Sequence, residues 1–250
     1  MSMKISIITA TFNSEKTVRD TLLSVQQQDY PAIEHIIIDG NSKDNTLSIV
    51  NEFRHVSNIV SEKDKGIYDA MNKGIKLVTG DIIGILNSDD VYVHSHVLST
   101  VMNAFKDSAV DVVYADLQYV RSDNLNKVTR TWRAGSFSKK KFYYGWMPPH
   151  PTFFVRKKVY DTIGNFNLAL KSAADYEFML RVLLKFDHNV HYLPEVIVKM
   201  RTGGISNASF RHRVHANRED REAWRLNNIR PYFFTIPFKP LRKVFQFIVK

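Results

Sequence analysis

The apolar run Ile82 to Leu86 leads directly into Asn87-Ser88-Asp89-Asp90, and this junction constrains the fold more than any other stretch of the chain. A short, nearly continuous apolar run bounded by turn residues reads as a central parallel-sheet strand covered on both faces. In an open α/β sheet the ligand crevice lies beyond the carboxyl ends of such strands, which puts Asn87, Asp89 and Asp90 at its lip. Adjacent carboxylates repel each other, and hard oxygen ligands of this kind suit Mg2+ or Mn2+ shared with a substrate diphosphate. The same residues also make an Asp-rich turn ahead of a helix, so the fragment alone leaves both readings open.

The first 120 residues alternate strand and helix signals at the spacing of consecutive βα units. Strands are expected at Ile5 to Thr9, Ile36 to Ile38, Asn58 to Val60, Ile82 to Leu86 and Val110 to Tyr114. Between them, Val18, Leu22 and Val25 form one helical stripe, and Ile67, Met71, Ile75 and Val78 form another that contains Gly74 at a modest propensity cost. Further helices are expected near Asn45 to Phe53 and Val97 to Phe105. After Asp116 the segments become shorter, more aromatic and more basic. A rigid loop, Tyr143 to Pro151, carries Trp146 and His150 among three prolines. A helix is expected from Ala173 to Lys185, strands at Val190 to Leu193 and Val196 to Met200, and a charged helix from Asn207 to Leu226. From Pro237 to Lys250, Leu241, Val244, Phe245 and Ile248 share one helical face while Lys239, Arg242, Lys243 and Lys250 share the other.

Charge is distributed unevenly along the chain. Of the net +10, residues 1–120 contribute −6 and the remainder +16. Such a field attracts nucleic acid, an anionic membrane surface or a phosphate-bearing substrate, or it serves solubility alone. There is no cysteine, which excludes a disulfide framework, a thiolate metal site and a Cys nucleophile, and fits a reducing cytosol. No apolar run approaches the ~18 residues of a membrane span, and the start of the chain lacks a leader-like pattern, so secretion and membrane crossing are not expected.

The carboxyl ends of the other strands supply further candidates. Thr11 and Phe12 follow the first strand, where backbone amides and the Phe12 ring suit a nucleotide base. Asp39 either accepts N–H bonds from a base edge, which selects uracil or guanine, or opens an Asx turn. Asp64-Lys65-Gly66 opens the helix carrying Asp69 and Asn72, so Lys65 and free amides are placed for phosphate. There is no Walker A sequence and no G-x-G-x-x-G, which argues against a P-loop ATPase and a dinucleotide dehydrogenase. The spacing of Ser172 and Asp175 reads as a capping box, and that of Glu177 and Arg181 as a surface ion pair.

Taken together, Ser6 to Asn13, Ile38 to Thr46, Asp64-Lys65-Gly66 with Ala70 to Gly74, Gly80 to Asp90, and Ala173 to Glu177 with Arg181 resemble a family-2 glycosyltransferase of the GT-A fold. The resemblance covers roughly residues 4–205 and extends to bacterial surface-polysaccharide members through the His150 loop and Thr202 to Ser206. It implies an open mixed α/β sheet flanked by helices over residues 1–205. The nucleotide-sugar half would be 1–116 and the acceptor half 117–205, with a basic helical extension at 206–250. It implies inverting transfer from a UDP- or GDP-sugar, donor contacts from Thr11, Phe12, Asp39, Lys65, Asn72 and Asp89, and Mg2+ or Mn2+ on Asp89 with Asp90 supporting. Asp175 is implied as the general base, and Trp146 and His150 as acceptor contacts. Two positions depart from the family pattern: Asn87 stands where Asp is frequent, and Ala174 where Glu is frequent. Neither removes the proposed metal ligand or the base.

The basic second half fits a lipid-diphosphate-linked saccharide acceptor at the inner face of the cytoplasmic membrane. The terminal amphipathic helix either lies on that surface, packs on the domain or meets a second copy in a homo-oligomer. A sugar nucleotidyltransferase would want a glycine-rich basic loop after the first strand, which Ala10 to Lys16 lacks. A non-catalytic nucleic-acid-binding protein would want a recognisable base-stacking or groove-reading module, and none is evident.

Overall fold

The computed structural model describes residues 3–203 and 210–245, without the side chains of 210–216 and 243–245. Gly204 to Asn207, Ile248 and Lys250, named above, lie outside the described residues. In chain order the strands are β1 (Ile5–Thr11), β2 (Ile33–Asp39), β3 (Val56–Ser61), β4 (Ile82–Ile85), β5 (Asp90–Tyr92), β6 (Val112–Arg121), β7 (Asn124–Trp132), β8 (Phe154–Arg156) and β9 (Val190–Arg201). The helices are α1 (Val18–Gln26), α2 (Thr46–Val50), α3 (Ile67–Leu77), α4 (Val97–Ala104), α5 (Lys139–Tyr143), α6 (Lys157–Ile163), α7 (Ala174–Leu180), α8 (Phe210–Leu226) and α9 (Thr235–Phe245).

All strands among the described residues join one mixed sheet of order β3-β2-β1-β4-β8-β6-β9-β5, with β7 paired to β6. The strands β3, β2, β1 and β4 run parallel, β8 is antiparallel to both of its neighbours, and β6 pairs parallel with β9. All seven residues of β1 are buried, because helices cover both faces. Ile8 joins the cluster containing Met71 and Ile75 of α3, and Ile7 the opposite cluster containing Val97 and Val101 of α4. Each such fully buried aliphatic side chain contributes roughly 1.5–3 kcal/mol. Gly74 has a packing reason beyond propensity: a Cβ there would lie 2.5 Å from Ile8 Cγ2, so the missing side chain lets α3 sit directly on β1.

Several expected boundaries change. The helix expected to Lys185 ends as α7 and continues as a π-helical turn, Arg181–Lys185. The two strands expected around Pro194 are one, β9, and the register shifts against β6 next to Asp116 absorb the proline, which has no N–H for the ladder. The short segments expected after Asp116 include the long β6–β7 hairpin, stabilised by Arg130 stacked 3.7 Å above the Tyr119 ring. The strands β5 and β8 have no counterpart in the sequence reading. Within the extension, Ala223, Trp224 and Ile236 enter the same hydrophobic cluster as α7.

A pair of histidines, His35 buried and His55 half-buried, joins the first three strands. His35 is 0% exposed and bonds Thr9 Oγ1 through Nε2 and His55 Nε2 through Nδ1, both at 3.0 Å. Burial first, and the neighbouring His55 second, pull the His35 pKa down to about 3; burial lowers that of His55 too. Between the ordinary value near 6.5 and about 3, the unfolded chain therefore binds more protons at His35 than the folded one. Stability should fall as pH drops through that window, by up to about 1.4 kcal/mol per pH unit per group. Denaturant titrations across this range should show His35→Asn less stable at pH 7 but with a flatter acid limb; an unchanged slope would refute the linkage.

Candidate active site

Parallel pairing brings Thr11 opposite Asp39, so the carboxyl ends of β1 and β2 stand side by side. Phe12, immediately beyond, is 60% exposed, and its ring flanks Gly40 together with the Asp64 carboxylate. Thr11 Oγ1 is buried without a hydrogen-bond partner among the described residues. Asp39 is fully buried and holds the Asx turn: Oδ2 accepts from Ser42 N–H at 3.0 Å and Ser61 Oγ at 2.6 Å, and Oδ1 from Ser42 Oγ at 2.5 Å. Lys65 is exposed at the start of α3, and among the described residues no carboxylate pairs with its ammonium. Asn72 faces inward instead: its amide donates to Phe166 O at 2.9 Å and accepts from Phe166 N–H at 3.0 Å, clamping the loop that crosses from the other half.

At the lip, Asp89 is partly exposed and Asp90 is buried at the start of β5. Burial raises the Asp89 pKa, and no ion pair reaches its carboxylate among the described residues. Burial, then the Asp89 charge, push Asp90 well above the usual carboxylate range. Asp90 Oδ2 accepts from the Asn87 amide at 3.2 Å, while Asp90 Oδ1 and Asn87 Oδ1 are buried with no partner among the described residues. Among the described residues no three acidic or imidazole groups form a protein-only metal cage. One or two carboxylates with unsatisfied oxygens behind them fit a hard divalent cation that takes its other ligands from substrate phosphates and water.

The other half contributes α7. The expected capping box does not form: Ala173 holds the N-cap position, and Ser172 directs its hydroxyl and amide to Glu219 of α8, at 2.8 and 2.7 Å. A long-range carboxylate thus displaces the local cap, which frees Asp175. Its Oδ1 accepts from the Tyr68 hydroxyl at 2.8 Å. His150 lies close enough for the Asp175 charge to oppose the burial that lowers its pKa, and it packs edge-on to Phe166, with ring centroids 5.8 Å apart. Trp146 is buried in the core, its indole N–H donating to Ala134 O at 2.7 Å.

The structure therefore gathers Thr11, Phe12 and Asp39 at one end of the crevice, Asp89 and Asp90 at the lip, and Asp175 with His150 on the far half. It turns Asn72 and Trp146 to packing. Tyr68, Arg201 and Asp116 escaped the sequence reading. Tyr68 had no signal beyond its place one helical turn after Lys65. Arg201 holds the lip from below, donating to Asp89 O at 2.9 Å and to the Asp20 carboxylate. Asp116 stands level with Asn87, because Val155 of β8 pairs with both Ile83 and Val112, and each chain runs four residues further. Its Oδ1 accepts from the Tyr192 hydroxyl and Ala134 N–H, both at 2.8 Å.

The pair Glu177–Arg181, expected at the surface, is buried: side-chain exposures are 4% and 13%, and the contact is 2.9 Å. Arg181 also donates to Ile163 O and Asn165 O, and Glu177 accepts from Asn227. Removing one member of a buried pair strands the other's charge, so Glu177→Ala should cost roughly 3–5 kcal/mol in urea denaturation. A loss below about 1 kcal/mol, the surface-pair range, would contradict this.

The profile described as Glycosyl transferase family 2 matches residues 6–174. A "PGL/p-HBAD biosynthesis glycosyltransferase" of Mycobacterium bovis is 31% identical over 209 residues, covering 81% of this chain and 78% of its own. In the solved structures, Staphylococcus aureus TarS 1-349 in complex with UDP-GlcNAc aligns with a TM-score of 0.65 at 22% identity, over 90% of this chain and 65% of that one. The mannosyltransferase PcManGT from Pyrobaculum calidifontis, in complex with GDP-Man and Mn2+, aligns with a TM-score of 0.69 at 16% identity, over 97% and 70%. These share the fold, and the family match and the mycobacterial relative establish that the chain belongs to glycosyltransferase family 2 and is a transferase.

Proposed function

We propose that the chain moves a sugar from a nucleoside-diphosphate donor to a hydroxyl of a lipid-linked saccharide, inverting the anomeric centre in one displacement. The observation that carries this reading is the Asp175 carboxylate, with one oxygen held by Tyr68 and the other uncommitted among the described residues. Glu177, the other acid in the first turn of α7, is consumed by Arg181 and Asn227, so Asp175 is the carboxylate of that turn available as a base. It takes the acceptor hydroxyl proton as that oxygen attacks the anomeric carbon and the bond to the diphosphate breaks. Tyr68 fixes the carboxylate's direction throughout.

On the donor side, Phe12 offers an exposed ring for the base and Lys65 a cation at a helix N-terminus for phosphate. Asp39 has no exposed surface and spends three of about four acceptor positions on Ser42 and Ser61, so it shapes the turn beside Phe12, and the donor is a UDP- or GDP-sugar. Asp89, with Asp90 behind it, would hold Mg2+ or Mn2+, which when bound offsets negative charge gathering on the departing diphosphate. The mycobacterial relative named for PGL/p-HBAD biosynthesis supports a cell-surface glycolipid or saccharide product. So does Poly-beta-1,6-N-acetyl-D-glucosamine synthase of Staphylococcus epidermidis, 40% identical over 90 residues, though that match covers only 35% of this chain.

A panel of UDP- and GDP-sugars with and without Mn2+ tests the donor. Nucleotide binding and turnover that survive chelation would remove the metal role. Asp175→Asn should lower kcat by about 10²–10⁴ with donor KM nearly unchanged, Tyr68→Phe less, and Asp89→Asn should weaken metal-dependent nucleotide binding. Retained kcat in Asp175→Asn would assign the base elsewhere.

A further inference from the structure

We infer that Tyr144, Tyr232, Phe233, Phe234, Phe238 and Leu241 form a membrane-docking surface whose partner is the headgroup interface of an anionic bilayer. Phe233 is 93% exposed, Leu241 54%, Tyr232 51%, Tyr144 47% and Phe238 40%. The rings are contiguous: Phe234 lies 5.5 Å from Tyr144, 5.3 Å from Tyr232, 5.2 Å from Phe233 and 5.0 Å from Phe238. Aromatic side chains left in water beside a well-packed core mark an interaction surface.

The mount beneath them is built firmly. Thr235 Oγ1 donates to Tyr143 O at 2.7 Å, and Ile236 is buried. Gly145, at φ 75°, leaves only enough room for the α9 backbone: a Cβ there would lie 2.5 Å from Lys239 N. Lys239 pairs with Asp220 at 2.6 Å and lies 3.5 Å above the Tyr176 ring, one residue past Asp175. The rings are thus held outward on a base tied to α7.

Charge selects the partner. Lys140, Arg230 and Arg242 are exposed, and no carboxylate pairs with them among the described residues. From Asn227 to Lys250 the sequence has no Asp or Glu and five Lys and Arg, of which Lys239 is paired with Asp220. Two copies meeting through this face would oppose like charges, whereas anionic headgroups neutralise them while Tyr and Phe settle at the interface. No helix among the described residues is long and apolar enough to cross a membrane, so the contact is in-plane. The docking site therefore centres on the turn before α9 and continues along that helix to Phe238 and Leu241.

The surface goes beyond the transferase reading and its test needs no donor or acceptor. Purified protein is sedimented with phosphatidylcholine vesicles with and without phosphatidylglycerol, at low and high salt, alongside Phe233→Ser and Tyr232→Ser/Phe233→Ser. Wild type should pellet with anionic vesicles at low salt, and Phe233→Ser should weaken partitioning about tenfold, the scale of losing one aromatic ring from an apolar environment. Both variants should keep the wild-type unfolding midpoint. Equal sedimentation of wild type and variants overturns the proposal. So does a wild type that ignores vesicles but runs as a dimer that Phe233→Ser dissociates, since the face then belongs to a second copy.

Discussion

Parallel pairing of β1 with β2 on one side and β4 on the other is the constraint on which the rest depends. It brings three strand ends to one edge, so Phe12, Asp39 and the Asn87–Asp90 turn share a crevice although they lie far apart in sequence. Its central place requires two apolar faces, and Ile7 and Ile8 supply them on alternate sides. Close approach of α3 through Gly74 then sets Tyr68 where it meets Asp175 from the other half. One helix thus carries the Lys65 end of the donor side and the residue that orients the proposed base.

Electrostatics explains why this crevice is poised rather than merely shaped. Lys73 is engaged by Glu62, Asp64 and Asp69, at 2.9, 2.5 and 3.6 Å, and against burial Asp64 and Glu62 raise its pKa. Arg201 is spent on Asp20 and on backbone carbonyls beneath the lip. Asp89 thus has the Arg201 charge beneath it but no ion pair on its carboxylate among the described residues. A diphosphate entering such a wall is repelled unless cations accompany it, which is the physical case for Lys65 and for a divalent ion on Asp89.

The sequence made the N-terminal half legible because its signals are local. Continuous apolar runs, helical stripes and polar strand ends identify β1, β4 and α3 within two residues and β2 within three, and the adjacent acids mark the lip. The second half was harder to read because its determinants are long-range. Nothing in Asn124 to Trp132 alternates strongly enough to announce β7, which forms by pairing along β6. The capping box at Ser172 was plausible chemistry defeated by Glu219, 47 residues away. Glu177 and Arg181 have the spacing of a surface pair, and only the helices packed over them make the pair interior. Asn72 and Trp146 carry polar groups suited to ligands, yet each group finds a backbone partner across the core.

The same long-range logic joins the C-terminal segment to the proposed chemistry. Glu219 pins the loop that enters α7, Asn227 donates to Glu177 within that helix, and Trp224 Nε1 donates to the Tyr176 hydroxyl at 3.0 Å. These contacts fall on Ser172, Tyr176 and Glu177, the residues flanking Asp175 along the chain. Each is a buried or partly buried polar bond whose loss would leave an unsatisfied partner, so α8 and α9 stabilise the helix start far more than a loosely attached tail would. A surface that holds this segment against a bilayer would therefore hold the proposed base in register as well, through a chain of contacts running from Phe238 and Lys239 to Tyr176.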